Sequence, residues 1–379
     1  MKKIYWQVQQ MNRIGGAEMV SIDLANHLSK DYDITVISTV EIEDEIPYHI
    51  EPTLKVMSLG IPKRVERVDV LTKKYLKHFR IFSLIGLYLQ VAFHYFIKRP
   101  IYRKRLYELI SKDDAILICS AVDSYLLAPK KGHVYFHFHF DTENFFAWNN
   151  YPVFKISRKP EKWIFLTNST MQEVCEKRPK LKHKSLYIHN PVRFQRTFDM
   201  SYHNNTILFA GRFNTQKNPM LALAVAKELK DREFPFVLKM FGDPIMKKKM
   251  DKYIAENHLE DVVELHGPTN NIHDEMSNSD LLLITSLYEG FCLVMAEANA
   301  LSRPWVSSNW GPILNEVFVE GKSGVIVPDD DVKKYADAII EYLSDKEKLK
   351  EAKRNAYEAS ASLSYENILP YWHKLFDQE

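Results

Sequence analysis

Two carboxylates, Glu289 and Glu297, stand seven residues apart in a stretch that runs from Ser286-Leu287-Tyr288 through Gly290-Phe291-Cys292 to an apolar segment ending near Leu301. The preceding run Leu281–Thr285 has strand character, so a strand-loop-helix junction is predicted, with Glu289 in the loop and Glu297 inside the helix. Such a junction presents free backbone N–H groups and the positive end of a helix dipole, which together suit a phosphate. Gly290 lets the backbone approach that ligand closely, and Phe291, Cys292 and Leu293 form the same turn. Glu289 then falls where a sugar lies. Glu297, about two turns along at ~3.6 residues per turn, is placed to accept hydrogen bonds from a diol such as ribose. Arg212 and Lys217 follow another predicted strand, Thr206–Ala210, so both emerge at its carboxyl edge. Cations there neutralise a diphosphate as it leaves. Two acids, an anion site and two cations together read as recognition of a nucleotide sugar.

Other constellations point elsewhere or nowhere. Gly15 and Gly16 follow the first predicted strand and precede a helix, yet Ala17-Glu18 replace the third glycine of a dinucleotide fingerprint, so a dehydrogenase is poorly supported. Glu18 favours the helix dipole. His133, Tyr135, His137, His139 and Asp141 alternate, so an extended strand puts all five on one face. A metal held by His137, His139 and Asp141 is conceivable chemistry, but no metal is expected. Asp329, Asp330 and Asp331 follow a late strand and are read as a cap for the next helix. His189 is read as a polar contact. Cys119, Cys175 and Cys292 lack metal spacing and are read as reduced, structural thiols.

The elements that must position these residues repeat one pattern. Apolar runs of strand length at Ile4-Val8, Ile34-Ser38, Ala115-Cys119, His133-Phe138 and Trp163-Leu166 alternate with helical segments such as Ala17-Ser29. A second alternation follows Ile188-His189-Asn190-Pro191-Val192, with strands at Thr206-Ala210, Phe236-Phe241, Val262-His266, Leu281-Thr285, Trp305-Ser308 and Gly324-Val327 and a helix at Pro219-Lys230. The expected class is α/β, with two Rossmann-like domains of parallel sheet, 1–190 and 191–362. Ligands of such sheets bind at the carboxyl ends of the strands, so a cleft between the domains is the expected site. The last segment, 363–379, is an aromatic amphipathic helix containing Pro370 and is expected to pack back on the first domain. A chain of 379 residues with 46% apolar content exceeds one ordinary core, in keeping with two domains. Its net charge of +2 gives no reason to expect nucleic acid. The N-terminus lacks the apolar run of a signal peptide, which predicts a cytoplasmic protein.

Residues 63–105 differ from the rest. Lys63, Arg64, Arg67, Lys73, Lys74, Lys77, Arg80, Lys98, Arg99, Arg103, Lys104 and Arg105 are opposed only by Glu66 and Asp69, and they flank the apolar run 81–97. That run is short and interrupted for a spanning helix. It suits the interface of an anionic membrane, where each cation near the surface adds on the order of 1 kcal/mol. The alternative is a buried helix with solvated, charged ends.

The spacing E-x7-E resembles that of retaining glycosyltransferases with the GT-B fold, and SLYEGFCLVMAEANALSRPWV is similar to family 4 over its length. Four further pieces fall in the family's order: GGAE at Gly15–Glu18, IHNPV at Ile188–Val192, AGRFNTQKNP at Ala210–Pro219 and G-x-SG-IVP at Gly321–Pro328. Trp310-Gly311-Pro312-Ile313-Leu314-Asn315-Glu316 stands where relatives often have a glycine-rich turn before a Glu. The resemblance implies transfer of a hexose-type sugar with retention, by front-face attack in which the leaving phosphate oxygen accepts the acceptor proton. It implies the donor-side roles given above to Arg212, Lys217, Glu289 and Glu297. It also implies a sugar-contacting, catalytic histidine at His137, with His139 as the nearer alternative on the acceptor side. The Gly15-Gly16 loop is placed against donor diphosphate and acceptor. A UDP-sugar is the expected donor, no cofactor is expected, and the acceptor is a glycan or lipid-linked sugar of a bacterial surface polysaccharide. Two rivals stand beside this: a soluble enzyme making a small sugar product, and a non-catalytic sugar-binding protein of the same fold.

Overall fold

Strand-length apolar runs become parallel strands throughout, because both faces of each sheet are covered by the helices that connect them. The computed structural model describes residues 1–12, 15–43, 46–61, 72, 76–77, 81–93, 99–129, 132–140, 142, 160–311, 313–318, 323–328 and 331–377. Asp141, Pro312, Gly321, Asp329, Asp330 and much of 63–105 lie outside them. The chain divides into two compact units: Met1–Phe165 with Val174–Tyr187, and Leu166–Glu173 with Ile188–Glu379.

The first unit contains β1 (Lys3–Val8), α1 (Gly16–Leu28), β2 (Asp33–Val40), β3 (Lys55–Ile61), α2 (Ile81–Phe93), α3 (Arg99–Asp113), β4 (Ile116–Cys119), α4 (Val122–Leu127), β5 (His133–Phe138) and β6 (Lys162–Phe165). Then come α5 (Asn168–Lys177), whose first residues group with the second unit, and β7 (Ser185–Tyr187). The strands form one sheet in the order β3-β2-β1-β4-β5-β6-β7, every pair parallel. Strand order reverses between β1 and β4. The sequence reading does not contain β3 and β7, which are the two edges. β7 is three residues long, with none of them buried, so no apolar run marks it.

The second unit contains β8 (Thr206–Ala210), α6 (Pro219–Asp231), β9 (Val237–Phe241), α7 (Lys247–Glu256), β10 (Val263–His266), α8 (Ile272–Ser277), β11 (Leu281–Ile284), α9 (Leu293–Ala300), β12 (Trp305–Ser308), α10 (Ile313–Val317), β13 (Gly324–Val327), α11 (Val332–Ser344), α12 (Lys346–Ala359) and α13 (Tyr365–Asp377). Its sheet runs β10-β9-β8-β11-β12-β13, again parallel, and reverses between β8 and β11. Gly324 pairs with Trp305 across β12 and β13, and a Cβ at Gly324 would come within 2.1 Å of the buried indole. Asp331 caps α11 by accepting from the N–H groups of Lys333 and Lys334, the part of the acidic run that the described residues include.

The C-terminal helix α13 is grouped with the second unit. It follows the 3-10 turn Ser360–Leu363, whose Leu363 lies in the second unit's core and whose carbonyl accepts from Val192 N–H at 2.8 Å. A buried network holds the strand edge away from the loops discussed next. Lys353 pairs with the fully buried Asp280 at 3.2 Å, and Asp280 also accepts from His203 and Thr206 N–H. The three cysteines are free, with Cys119 and Cys292 buried.

Candidate functional site

In the second unit, the chain leaves β8 and β11 at the point where strand order reverses, and the loops after these strands carry the predicted donor residues. The backbone after β8 keeps bonding to the segment after β9: Gly211 N–H donates to Phe241 O at 3.0 Å and Phe213 N–H to Asp243 O at 3.1 Å. A Cβ at Gly242 would lie 1.9 Å from Gly211 O, so only glycine permits this approach. The two loops are also tied to each other. Leu287 N–H donates to Gln216 O at 2.8 Å, the Gln216 amide donates to Tyr288 O at 3.1 Å, and Thr285 Oγ1 donates to the carbonyls of Lys217 and Asn218. Asn214 Oδ1 receives Lys217 N–H at 3.0 Å. Ser308 Oγ holds the Ser286 carbonyl at 2.6 Å.

This scaffold brings Lys217 and Glu289 into contact: Nζ lies 2.5 Å from Oε1. The same oxygen accepts from Ser286 Oγ at 2.6 Å. Both charged groups are largely removed from water. Burial pushes the Lys217 ammonium down, but the Glu289 carboxylate outweighs it and the net displacement is upward. Arg212 is exposed, makes no ion pair among the described residues, and opposes that rise by its own charge. Cys292 sits at the N-cap of α9 in the left-handed region, φ 60°, a conformation costing a non-glycine residue about 1–3 kcal/mol. It supplies no side-chain cap, and Met295 N–H turns back to Cys292 O at 3.0 Å, so among the described residues the N–H groups of Leu293 and Val294 are the ones the first turn of α9 leaves to the loop. Burial and the Glu289 charge push the Cys292 thiol up, and it stays protonated and unreactive. Gly290 is half-buried in the same loop. Phe291 is buried between His189 and Phe318, and Leu293 packs on the core beneath.

Glu297 is buried one helix face further on, and Arg193 grips it: Nε and Nη2 both reach Oε1, at 2.7 and 2.6 Å. Burial raises its carboxyl above the ordinary range, and Arg193 partly offsets that. The sequence reading missed Arg193. It follows the IHNPV motif directly, but nothing in a separation of 104 residues announces a partner for Glu297. Ser286, three residues before Glu289, was also missed, and its proximity in a tight loop was the available signal.

Gly15, Gly16, His137 and His139 lie in the first unit. Gly15 is the N-cap of α1 and its N–H donates to Tyr48 Oη at 3.1 Å. The Glu18 carboxylate folds over Gly15, with Oε2 2.3 Å from where a Cβ would stand. His137, the penultimate residue of β5, is fully buried, its carbonyl accepting from Tyr125 Oη at 2.7 Å, and its ring lies against that of His139, tilted by 56° with centroids 4.1 Å apart. Burial lowers both imidazoles, His139 to about 3, so both are neutral near pH 7. His133, at the other end of the strand, pairs with Glu161 at 2.9 Å. His189 Nδ1 bonds Leu166 O at 2.7 Å, and Glu316 accepts from Asn168 and Ser169 N–H at the start of α5. No metal-ligating cluster of three exists among the described residues.

Residues 197–359 match the family of glycosyl transferases, group 1. The matched stretch contains both loops and both acids. Over 99% of its length the chain is 23% identical to a Campylobacter jejuni α-1,4-N-acetyl-D-galactosaminyltransferase for a PP-undecaprenol-linked saccharide, covering 98% of that protein. It is 25% identical over 99% of its length to an exopolysaccharide phosphotransferase of Streptomyces coelicolor, and spans 41% of that relative's length. Its fold is similar to TarM of S. aureus, solved with fondaparinux, alpha-GlcNAc-glycerol and UDP: TM-score 0.78 at 15% identity, with 100% of each chain covered. The fold is therefore GT-B, two Rossmann-like α/β units with parallel sheets.

Proposed function

We propose that this protein is a retaining glycosyltransferase of bacterial surface-polysaccharide synthesis, taking a hexose-type sugar from a nucleotide diphosphate donor. The observation that carries the proposal is the Lys217–Glu289 pair, fixed by Ser286 beside an uncapped helix N-terminus where the strand order reverses. Arg212 and Lys217 neutralise the departing diphosphate, Glu289 holds the transferred sugar, and Glu297 takes the ribose. His137, buried and neutral in the first unit, is the residue we assign to the catalytic histidine role. The leaving phosphate oxygen accepts the acceptor proton on the front face, so catalysis rests on positioning and charge neutralisation without metal. UDP is the favoured base-bearing group, supported by its presence in the TarM complex.

A lipid-linked acceptor at an anionic membrane is favoured by α2. Ile81, Phe82, Ile85, Tyr88 and Leu89 occupy one side of that helix and are exposed, Phe82 at 89%. Leu87 is buried and anchors the helix. Lys77, Lys104 and Arg105 are exposed nearby in the sequence. Among the described residues no helix is long and apolar enough to cross a membrane. The exposed apolar side of α2 supports an interfacial mode, which we place on the cytoplasmic face. The Campylobacter relative's undecaprenol-linked substrate agrees with this reading.

A thermal-shift panel of UDP-, GDP-, ADP- and TDP-sugars tests the donor, since a ligand at ~100 times its Kd stabilises by about 2.7 kcal/mol. Glu289→Ala and Arg212→Ala each remove most turnover while the protein stays folded, and near-normal rates in both overturn the assignment. The anomeric proton coupling in the product reports retention or inversion. Sedimentation with anionic vesicles tests the membrane: wild type binds at moderate salt and Phe82→Asp with Leu89→Asp does not.

A further inference from the structure

Arg193 brings two nitrogens of its guanidinium to one oxygen of Glu297. Nε and Nη2 converge on Oε1, at 2.7 and 2.6 Å, instead of spanning both carboxylate oxygens as a fork usually does. With the Nε–H bond and the closest Nη2 approach both at Oε1, Oε2 carries no hydrogen bond among the described residues and is the oxygen left for a further donor. The cation is itself held in place. Val192, the residue before it, is buried and tied to Leu363 O at 2.8 Å. The guanidinium lies over the Phe194 ring at 5.0 Å, and that ring meets His273 edge-on at 4.9 Å. Arg193 and Glu297 side chains are 15% and 6% exposed, so neither swings freely in water.

We infer that Arg193 is a positioning residue for nucleotide recognition, orienting Glu297 so that Oε2 alone meets the ribose and one hydroxyl of the diol is read more strongly than the other. This rests on the donor-site reading above, with Glu297 at the ribose. Burial favours the uncharged form of Glu297, and the Arg193 charge opposes that, so the same contact keeps an acceptor available for the hydroxyl.

Calorimetric titration of the full chain with UDP, 2′-deoxy-UDP and 3′-deoxy-UDP tests the inference. In the wild type, loss of one hydroxyl raises Kd about 10-fold and loss of the other less than about threefold, the scale of one hydrogen bond to a charged group. Arg193→Ala weakens UDP at least about 10-fold and brings the two deoxy analogues within about threefold of each other. Arg193→Lys restores charge without the two-point grip, so it regains most of the affinity and none of the asymmetry. A purely structural role for Arg193 lowers stability and leaves the analogue ratio unchanged, and that result overturns the inference. Equal sensitivity to both hydroxyls in the wild type also overturns it. Should Arg193→Ala fail to fold, Arg193→Lys alone decides through the analogue ratio. Failure of wild type to bind UDP, ADP or GDP, by contrast, removes the donor-site reading itself and this inference with it.

Discussion

Lys217 and Glu289 make opposite demands on stability and on turnover, and a double-mutant cycle separates them. The pair is buried, with side chains 17% and 8% exposed and 2.5 Å between Nζ and Oε1. Lys217→Met leaves Glu289 without its ion-pair partner, the Ser286 hydroxyl being its remaining hydrogen-bond partner among the described residues, and an uncompensated buried charge of this kind costs about 3–5 kcal/mol. In a unit of this size each kcal/mol moves Tm by about 2–4 °C, so a loss on the order of 10 °C is expected in a melting scan. Adding Glu289→Leu removes the stranded carboxylate, and a buried ion pair replaced whole by apolar groups is neutral to about 1–4 kcal/mol more stable than the pair itself, so the single-variant loss is recovered. Turnover behaves otherwise. Loss of one preorganised group facing the developing charge costs about 10²–10³ in kcat, and no apolar replacement restores it. The double variant is therefore expected to melt near wild type while its rate with saturating donor remains at the level of the worse single variant. If turnover in the double variant rises in step with Tm, the pair is a fold element and the catalytic assignment is wrong.

Gly242→Ala is expected to abolish soluble expression or lower Tm by more than 10 °C, because its Cβ would sit 1.9 Å from Gly211 O and the backbones cannot part without moving the Arg212 loop; an unchanged melt refutes that packing. Stability should also fall on acidification. His139 is depressed to about 3 and His137 lies well below its usual value, so protonation favours the unfolded chain. Their contribution is complete above the unfolded value near 6.5 and is lost as pH falls below it, about 2 kcal/mol by pH 5 for His139, whose loss continues toward pH 3, with His137 adding in the same direction. Urea midpoints at pH 7 and pH 5 measure this, and His139→Gln should flatten the dependence; a midpoint indifferent to pH contradicts the burial of the pair.

Much of the fold was legible because parallel strands covered on both faces need unbroken apolar runs, and Leu281–Ile284 or Ile116–Cys119 cannot satisfy that need any other way. Edge strands obey a weaker rule, so Lys55–Ile61 and Ser185–Tyr187 went unread. The position of Glu289 and Glu297 on loop and helix was equally local, set by a strand end and a helical run within twenty residues. The sequence by itself thus determined the α/β class, the junction that bears the two acids and the cations that follow β8. Only the tertiary structure decided which charges touch. Lys217 meets Glu289 across 72 residues and Arg193 meets Glu297 across 104, because strand order, not chain order, sets neighbours at the edge of a parallel sheet. The same holds for Gly242, an ordinary turn glycine in the sequence, whose necessity appears only once β8 and β9 lie side by side.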